Sequence, residues 1–427
     1  VSASSPALTL PAPAGELRRR PGWLAFGEVR LDPRNNGLNL VRLVLAAAVL
    51  VAHGWYIAGD GVGPQLAGEN MGGWAVFGFF AISGYLITGS RLTKPLGHYI
   101  VHRVARIFPA FLVNLVVTAV VFAPVGYWWL HRTLDGFLTT PTTPIAYVIS
   151  NVTLRINAYD VAGTPGGIPY PGAWNGSLWS LYYEFLCYVV VAVLGSISIF
   201  RRSAWAMTGA FAVSVAAHAG MSWLVPYTQG HVDVVYLAKL LPFFLGGGIL
   251  YMVRERLPLT WPLALAAAAT SLALTLWLGS WGPQLSGILI AYVILWVGAV
   301  LPCPAVIRRH DVSYGVYIYA FPVQQLLATA GAHQWNLALF DLVAFVCTLP
   351  FAIASWLLIE RRVMRRARTS TTPAGVTHAP AAPDPAASTT HAAGDEAGER
   401  RGANLDPDPH QPGDATRASR RTRADNR

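Results

Sequence analysis

The chain has 427 residues, of which 54% are hydrophobic and only 12% charged, with a formal net charge of +10 and a mean hydropathy of +0.42. A soluble globule carries charge on about a quarter of its residues, so the composition excludes one and describes a polytopic membrane protein. The positive charge lies in short loops and the C-terminal tail, with no basic, aromatic-interleaved platform, which excludes nucleic acid as the partner.

Residues 1–37 are Pro/Ala-rich and then basic, and are expected to form a disordered cytoplasmic N-terminal segment without a cleavable signal. Apolar segments long enough to cross a bilayer follow at 38–57, 74–91, 107–126, 178–198, 204–225, 234–253, 261–279, 286–302, 313–331 and 337–358. The expected fold class is therefore all-α, a membrane helical bundle of about ten transmembrane helices over residues 38–360. Alternate loops set the orientation. One set holds Arg18 to Arg20, Arg30, Arg34, Arg91, Lys94, Arg103, Arg106, three later arginine pairs and the cluster from Arg361 to Arg368. The other set holds Arg132 and Arg155. Both termini are thus expected in the cytoplasm. Residues 361–427 read as a basic juxtamembrane stretch and a disordered tail, because almost no large apolar residue remains to bury.

The one long connection, about Tyr127 to Ser177, is expected outside, framed by Tyr127, Trp128, Trp129, Trp174 and Trp179. Those rings suit an interfacial aromatic belt or a platform for a sugar-like ligand. Asn151-Val-Thr153 and Asn175-Gly-Ser177 match the glycosylation pattern, which is too short to carry weight. Cys187, Cys303 and Cys347 fall in apolar runs without CxxC pairing, and read as core filler.

The first span, LNLVRLVLAAAVLVAHGWY, carries Arg42 near its start and His53 eleven residues later. At 100° and 1.5 Å per residue they are about 20° apart around the helix and roughly 16 Å apart along it. Two ionisable side chains on one stripe must face protein or a wet cavity, because facing lipid costs several kcal/mol. Arg42 could snorkel or hold a phosphate-bearing donor, and His53 could be a packing residue or a general base for a hydroxyl. In the second span, the small residues of GFFAISGYLIT favour close helix packing, and Ser83 lacks the surroundings of a hydrolase nucleophile. Arg103 and Arg106 stand three apart as the third span begins, as positive-inside topology or a phosphate pocket would require. Glu184, about one turn into the fourth span, needs a partner, either in a structural pair or as the group that orients His53. Asp311 reads as a helix-start or ion-pair residue. No His/Asp/Glu cluster has metal-ligand spacing.

Together these elements resemble the acyltransferase-3 family of integral membrane acyltransferases, which includes bacterial polysaccharide O-acetylases. The resemblance covers about residues 38–360. It rests on Arg42 and His53 with ten residues between them, the FFAISGYL segment, Arg103-Val-Ala-Arg106-Ile-Phe-Pro109, the run Trp179-Ser180-Leu181-Tyr182-Tyr183-Glu184, and Ser313-Tyr314-Gly315-Val316-Tyr317. It implies transfer of an acyl group, often acetyl from acetyl-CoA, to a hydroxyl of a sugar or sugar-bearing acceptor, commonly across a bacterial plasma membrane. Acyl-CoA would be a substrate, with no permanently bound cofactor or metal. His53 matches the family's essential histidine, Arg42 the arginine of the same motif, Arg103 and Arg106 the basic pair near the donor, and Glu184 the acid after Trp-Ser-Leu. The rival reading is a transporter or flippase whose Arg42, His53 and Glu184 line a conduction path. A membrane glycosyltransferase would want a carboxylate pair in the first outside loop, which offers Asp60 and Glu69.

Overall fold

The computed structural model describes residues 27–227 and 231–369. The expectations for residues 1–26 and for the tail beyond 369 lie outside those described. Of the N-terminal segment, residues 27–37 lead into the bundle, with Val29 bridged antiparallel to Leu259.

The described chain is mostly helical, and a helix lies at each of the ten apolar segments. We number them with one loop helix included: α1 Leu38–Ala58, α2 Met71–Thr93, α3 Leu96–His131, α4 Pro144–Asn151, α5 Trp179–Leu194, α6 Ala204–Ala219, α7 Val232–Val253, α8 Trp261–Leu285, α9 Gly287–Val300, α10 Ser313–Thr329 and α11 Leu337–Thr369. Six of them, α1, α2, α3, α7, α8 and α11, are long and apolar enough to cross a membrane, while α5, α6 and α9 are apolar but shorter. A two-stranded hairpin, Gln65–Leu66 with Glu69–Asn70, joins α1 to α2.

Local chemistry sets the ends. Gly59 closes α1 in the left-handed region at φ +92°, where a side chain would be strained. The Asn70 side chain accepts the Gly73 N–H at 3.0 Å to start α2. α3 begins about three turns earlier than the apolar run suggests. Pro95 stands at its N-cap and nothing after it breaks the helix, so Arg103 and Arg106 are already helical rather than in a loop. Both α3 and α11 contain a wide π-turn, at Thr118–Phe122 and Ser355–Glu360.

α2 packs on α1, α5, α7 and α9, and α10 packs on α1, α3 and α11. The tightest approach is between α2 and α7. A Cβ on Gly84 would stand 1.8 Å from the Phe244 carbonyl oxygen, and one on Gly247 would stand 2.1 Å from that of Ala81. The small residues of the second segment therefore serve helix approach, as expected, and Phe77 stacks on Phe243 beside them at 4.0 Å.

The long loop is tied down. Trp174 is fully buried and donates its indole N–H to Thr164 Oγ1 at 3.1 Å. Asn151 and Asn175 are also buried and hydrogen-bonded within the protein. The expectation of three core cysteines is corrected: Cys187 is buried, Cys303 half-buried and Cys347 exposed on α11. An apolar run in a membrane helix serves lipid contact as well as core, so hydropathy alone does not separate the two.

Candidate active site

The Arg42 end of α1 is a buried ion cluster. Arg42 Nη1 and Arg106 Nη2 each donate to the same oxygen, Asp311 Oδ2, at 2.7 Å. Arg106 also reaches Glu360 Oε2 at 3.1 Å and lies over the Tyr314 ring, 5.6 Å from its centre. The π-turn before Glu360 delivers this carboxylate, and Ser355 donates to its other oxygen at 3.1 Å. Asp311 is both things its sequence position suggested, an ion-pair partner and the acceptor for Ser313 at the start of α10. Burial alone would push its carboxyl up, but the two guanidiniums and the Ser313 bonds outweigh that and hold it at about 2.

Arg103 does not join this cluster. Its guanidinium lies over Tyr188 and Tyr99, 5.8 and 6.0 Å from the ring centres. Among the described residues it forms no ion pair, and its Nε is buried without a hydrogen-bond partner. It lines a groove of about 240 Å³ between α3 and α5, whose wall includes Tyr188, Phe185 and Leu96.

Glu184 stands between these features. Ser83 and Tyr188 both donate to Glu184 Oε1 at 2.7 Å. The acid shares a narrow cavity of about 30 Å³ with Arg42, Phe79, Ser180, Tyr314 and Tyr317, space for about one water. Phe79 and Tyr317 meet edge-on there, with ring centres 5.7 Å apart. Ser180 and Tyr317 share a hydrogen bond, and the Tyr317 hydroxyl donates to the Ser177 carbonyl. The structure thus brings Arg42 and Glu184 to one cavity. It does not pair Glu184 with His53, because the carboxylate is held by Ser83 and Tyr188.

His53 sits in an aromatic enclosure at the other end of α1. Its ring meets Phe321 and Tyr56 edge-on, with centres 5.0 and 5.5 Å away, and its Nδ1 is buried without a partner among the described residues. One residue on, Gly54 lets Asp341 lie against the α1 backbone: a Cβ there would stand 2.0 Å from Asp341 Oδ1. Gln324 Nε2 donates to the Leu50 carbonyl at 2.9 Å and to Asp341 Oδ1 at 3.3 Å, which ties α10 and α11 to the turn that presents His53.

Sequence reasoning missed Asp341 and Glu360. The signal was present, since Asp341 is an acid inside an apolar run and Glu360 an acid at the end of one, and the rule that singled out Glu184 extends to them. Tyr188 and Tyr317 carried no such signal, because aromatic residues in apolar helices are ordinary core.

With this geometry in view, the acyltransferase-3 family, described as an acyltransferase domain, matches residues 35–358. The chain belongs to the acyltransferase-3 family. The matched segment contains Arg42, His53, Arg103, Arg106, Glu184 and Asp311, and stops just short of Glu360. An O-acetyl transferase of Shigella phage Sf6 is 29% identical over 348 residues, covering 78% of this chain and 97% of the relative. Nodulation protein 10 of Rhizobium leguminosarum bv. viciae is 27% identical over 369 residues, covering 77% and 93%. No solved structure matches. As an acyltransferase-3 protein the chain is an O-acetyltransferase-like enzyme.

Proposed function

We propose that this enzyme moves an acyl group, acetyl in the simplest case, from acyl-CoA to a hydroxyl of a carbohydrate-containing acceptor. Its setting would be a bacterial plasma membrane, with ten spans, both termini cytoplasmic and the long loop outside. The observation that carries the reading is the asymmetry of α1, with guanidiniums at the Arg42 end, an enclosed imidazole at the His53 end, and about 16 Å of a single helix between them.

In this reading the donor's phosphates meet Arg42 and Arg106 in competition with Asp311, while Arg103 offers a guanidinium that no carboxylate among the described residues has neutralised. The pantetheine arm lies along the α1 wall, and the Phe79–Tyr317 contact must part to admit it. The acceptor hydroxyl loses its proton to His53 as its oxygen attacks the thioester carbonyl. Collapse of the tetrahedral species breaks the C–S bond, and the thiolate takes the proton back from the imidazolium. A relay through an acyl-imidazole satisfies the same geometry. Glu184 then positions the cavity wall through Ser83 and Tyr188 and does not orient His53.

The test is release of free CoA from acetyl-CoA by the full chain in lipid nanodiscs, with and without a mixed polysaccharide acceptor. Acceptor-dependent release that His53→Ala abolishes, with a raised KM for acetyl-CoA in Arg42→Ala, supports the reading. Absence of both binding and consumption of acetyl-, propionyl- and palmitoyl-CoA by the parent would sink it.

A further inference from the structure

The long loop frames its outer surface with several aromatic residues, but they do not have equal access to His53. Trp174 is fully buried. Trp128 and Trp129 carry the Arg132 guanidinium, 5.5 Å from each ring. Trp179 packs on Tyr183 and Tyr236. The ring that covers the His53 enclosure is Tyr170, whose centre is 4.9 Å from Tyr56 and 6.1 Å from Phe321, the two rings that touch His53. Tyr170 is 39% exposed, and its contacts are tilted or edge-on rather than stacked, so ring surface remains open to a ligand.

Its position is fixed. Gln325, buried on α10, donates through Nε2 to the carbonyls of Tyr170 and Ala173 at 2.9 and 2.7 Å. Pro169 covers Gly59, where a Cβ would meet it at 3.1 Å. A rigid loop thus holds one partly open aromatic ring against the enclosure of the candidate base.

We propose that Tyr170, backed by Tyr56, is the acceptor platform, on which the apolar C–H face of a pyranose ring lies so that one hydroxyl at the ring's edge is presented to His53. Aromatic side chains supply broad, rigid, amphipathic surface at low conformational-entropy cost. A pyranose, apolar on its face and polar at its edge, matches such a surface. This deepens the proposed function and rests on it.

The experiment uses the full chain in nanodiscs with acetyl-CoA and three defined acceptors, the methyl pyranosides of glucose, galactose and rhamnose. Parent, Tyr170→Ala, Tyr170→Phe and Tyr170→Trp are compared after size exclusion has shown that each is folded. Tyr170→Ala is expected to raise the acceptor KM at least tenfold while moving the acetyl-CoA KM less than twofold. The Phe and Trp variants are expected to stay near the parent. An unchanged acceptor KM in Tyr170→Ala assigns Tyr170 to loop anchoring or an interfacial belt and overturns the platform. A parallel change in both KM values does so too, because it reports collapse of the loop. If the parent transfers acetyl to none of the three, the enzyme reading for these acceptors fails, and the platform is judged by saturation-transfer NMR on the same glycosides. Contact at ring C–H protons that Tyr170→Ala removes upholds it, and absence of contact in the parent overturns it.

Discussion

Replacing Asp311 by Asn should separate the two jobs of the Arg42 end. In the parent one oxygen, Oδ2, takes both guanidiniums at 2.7 Å, with side-chain exposures of 11% for Asp311, 20% for Arg42 and 14% for Arg106. Removing one partner of a buried ion pair costs about 3–5 kcal/mol. The residual exposure and the surviving Glu360 contact of Arg106 put this case near the lower figure, about 3 kcal/mol. The depressed carboxyl acts in the same direction. A carboxyl held at about 2, against about 3.9 when unfolded, stabilises the folded state at neutral pH relative to acid by about 2–3 kcal/mol. Because the folded value is depressed, that contribution is complete above about pH 4 and is lost as pH falls through about 2. Unfolding followed by tryptophan fluorescence should therefore show Asp311→Asn weaker by about 3 kcal/mol at pH 7, and less sensitive than the parent between pH 5 and 2. The same variant frees Arg42 and leaves Arg106 paired with Glu360 alone, so acetyl-CoA should bind more tightly, by about tenfold. Stability within about 0.5 kcal/mol of the parent would refute the ion-cluster reasoning, and unchanged or weaker acetyl-CoA binding would refute the role of the two arginines as donor ligands.

Other outcomes follow from the packing. Gly54→Ala places a Cβ onto Asp341 Oδ1. It should cost about 1–3 kcal/mol and lower kcat through His53, and a double-mutant cycle with Asp341→Ala should show coupling of about 1 kcal/mol or more. Additivity within 0.3 kcal/mol, by the same criterion, would contradict that contact. Glu184→Gln should lower kcat at least tenfold while the protein stays monodisperse on size exclusion, whereas parental kcat would make the acid purely structural. Gly84→Val drives a side chain into the Phe244 carbonyl and should yield no folded protein after detergent extraction, so recovery at the parental level would count against the α2–α7 approach.

Much of this was legible in the sequence. Hydropathy located a helix at each apolar segment, and the 3.6-residue period placed Arg42 and His53 on one wall of α1. The chemistry between helices was not legible, because nothing in one dimension says that Asp311, 269 residues from Arg42, shares its proton-accepting oxygen with Arg106. Nor does sequence rank aromatic residues by burial. Trp174 and Tyr170 both lie in the same Gly/Pro-rich loop, yet one is core and the other is 39% exposed. Helix starts were missed where charge preceded the apolar run, as at Leu96, because hydropathy sees the bilayer and not the helix that extends beyond it.

The second wall of the site is α10, and its sequence spacing explains why. Tyr314, Tyr317, Phe321 and Gln324 recur every three or four residues, which in a helix is one face. From one end to the other that face covers Arg106, the cavity wall beside Glu184, the His53 ring, and the Leu50–Asp341 tie. Asp311 stands just before its first turn, bonded to Ser313, and Gln325 near its last, so one helix reaches from the ion cluster to the loop that carries Tyr170. An anion that displaces Asp311 from Arg42 therefore acts on the start of the helix whose far end holds the aromatic enclosure. Acetyl-CoA should accordingly change hydrogen-exchange protection in residues 168–173 of the parent. Ser313→Ala, which removes the hydroxyl joining Asp311 to α10, should reduce that change at saturating acetyl-CoA. An equal change in the parent and in Ser313→Ala would show that the two ends of α10 act independently.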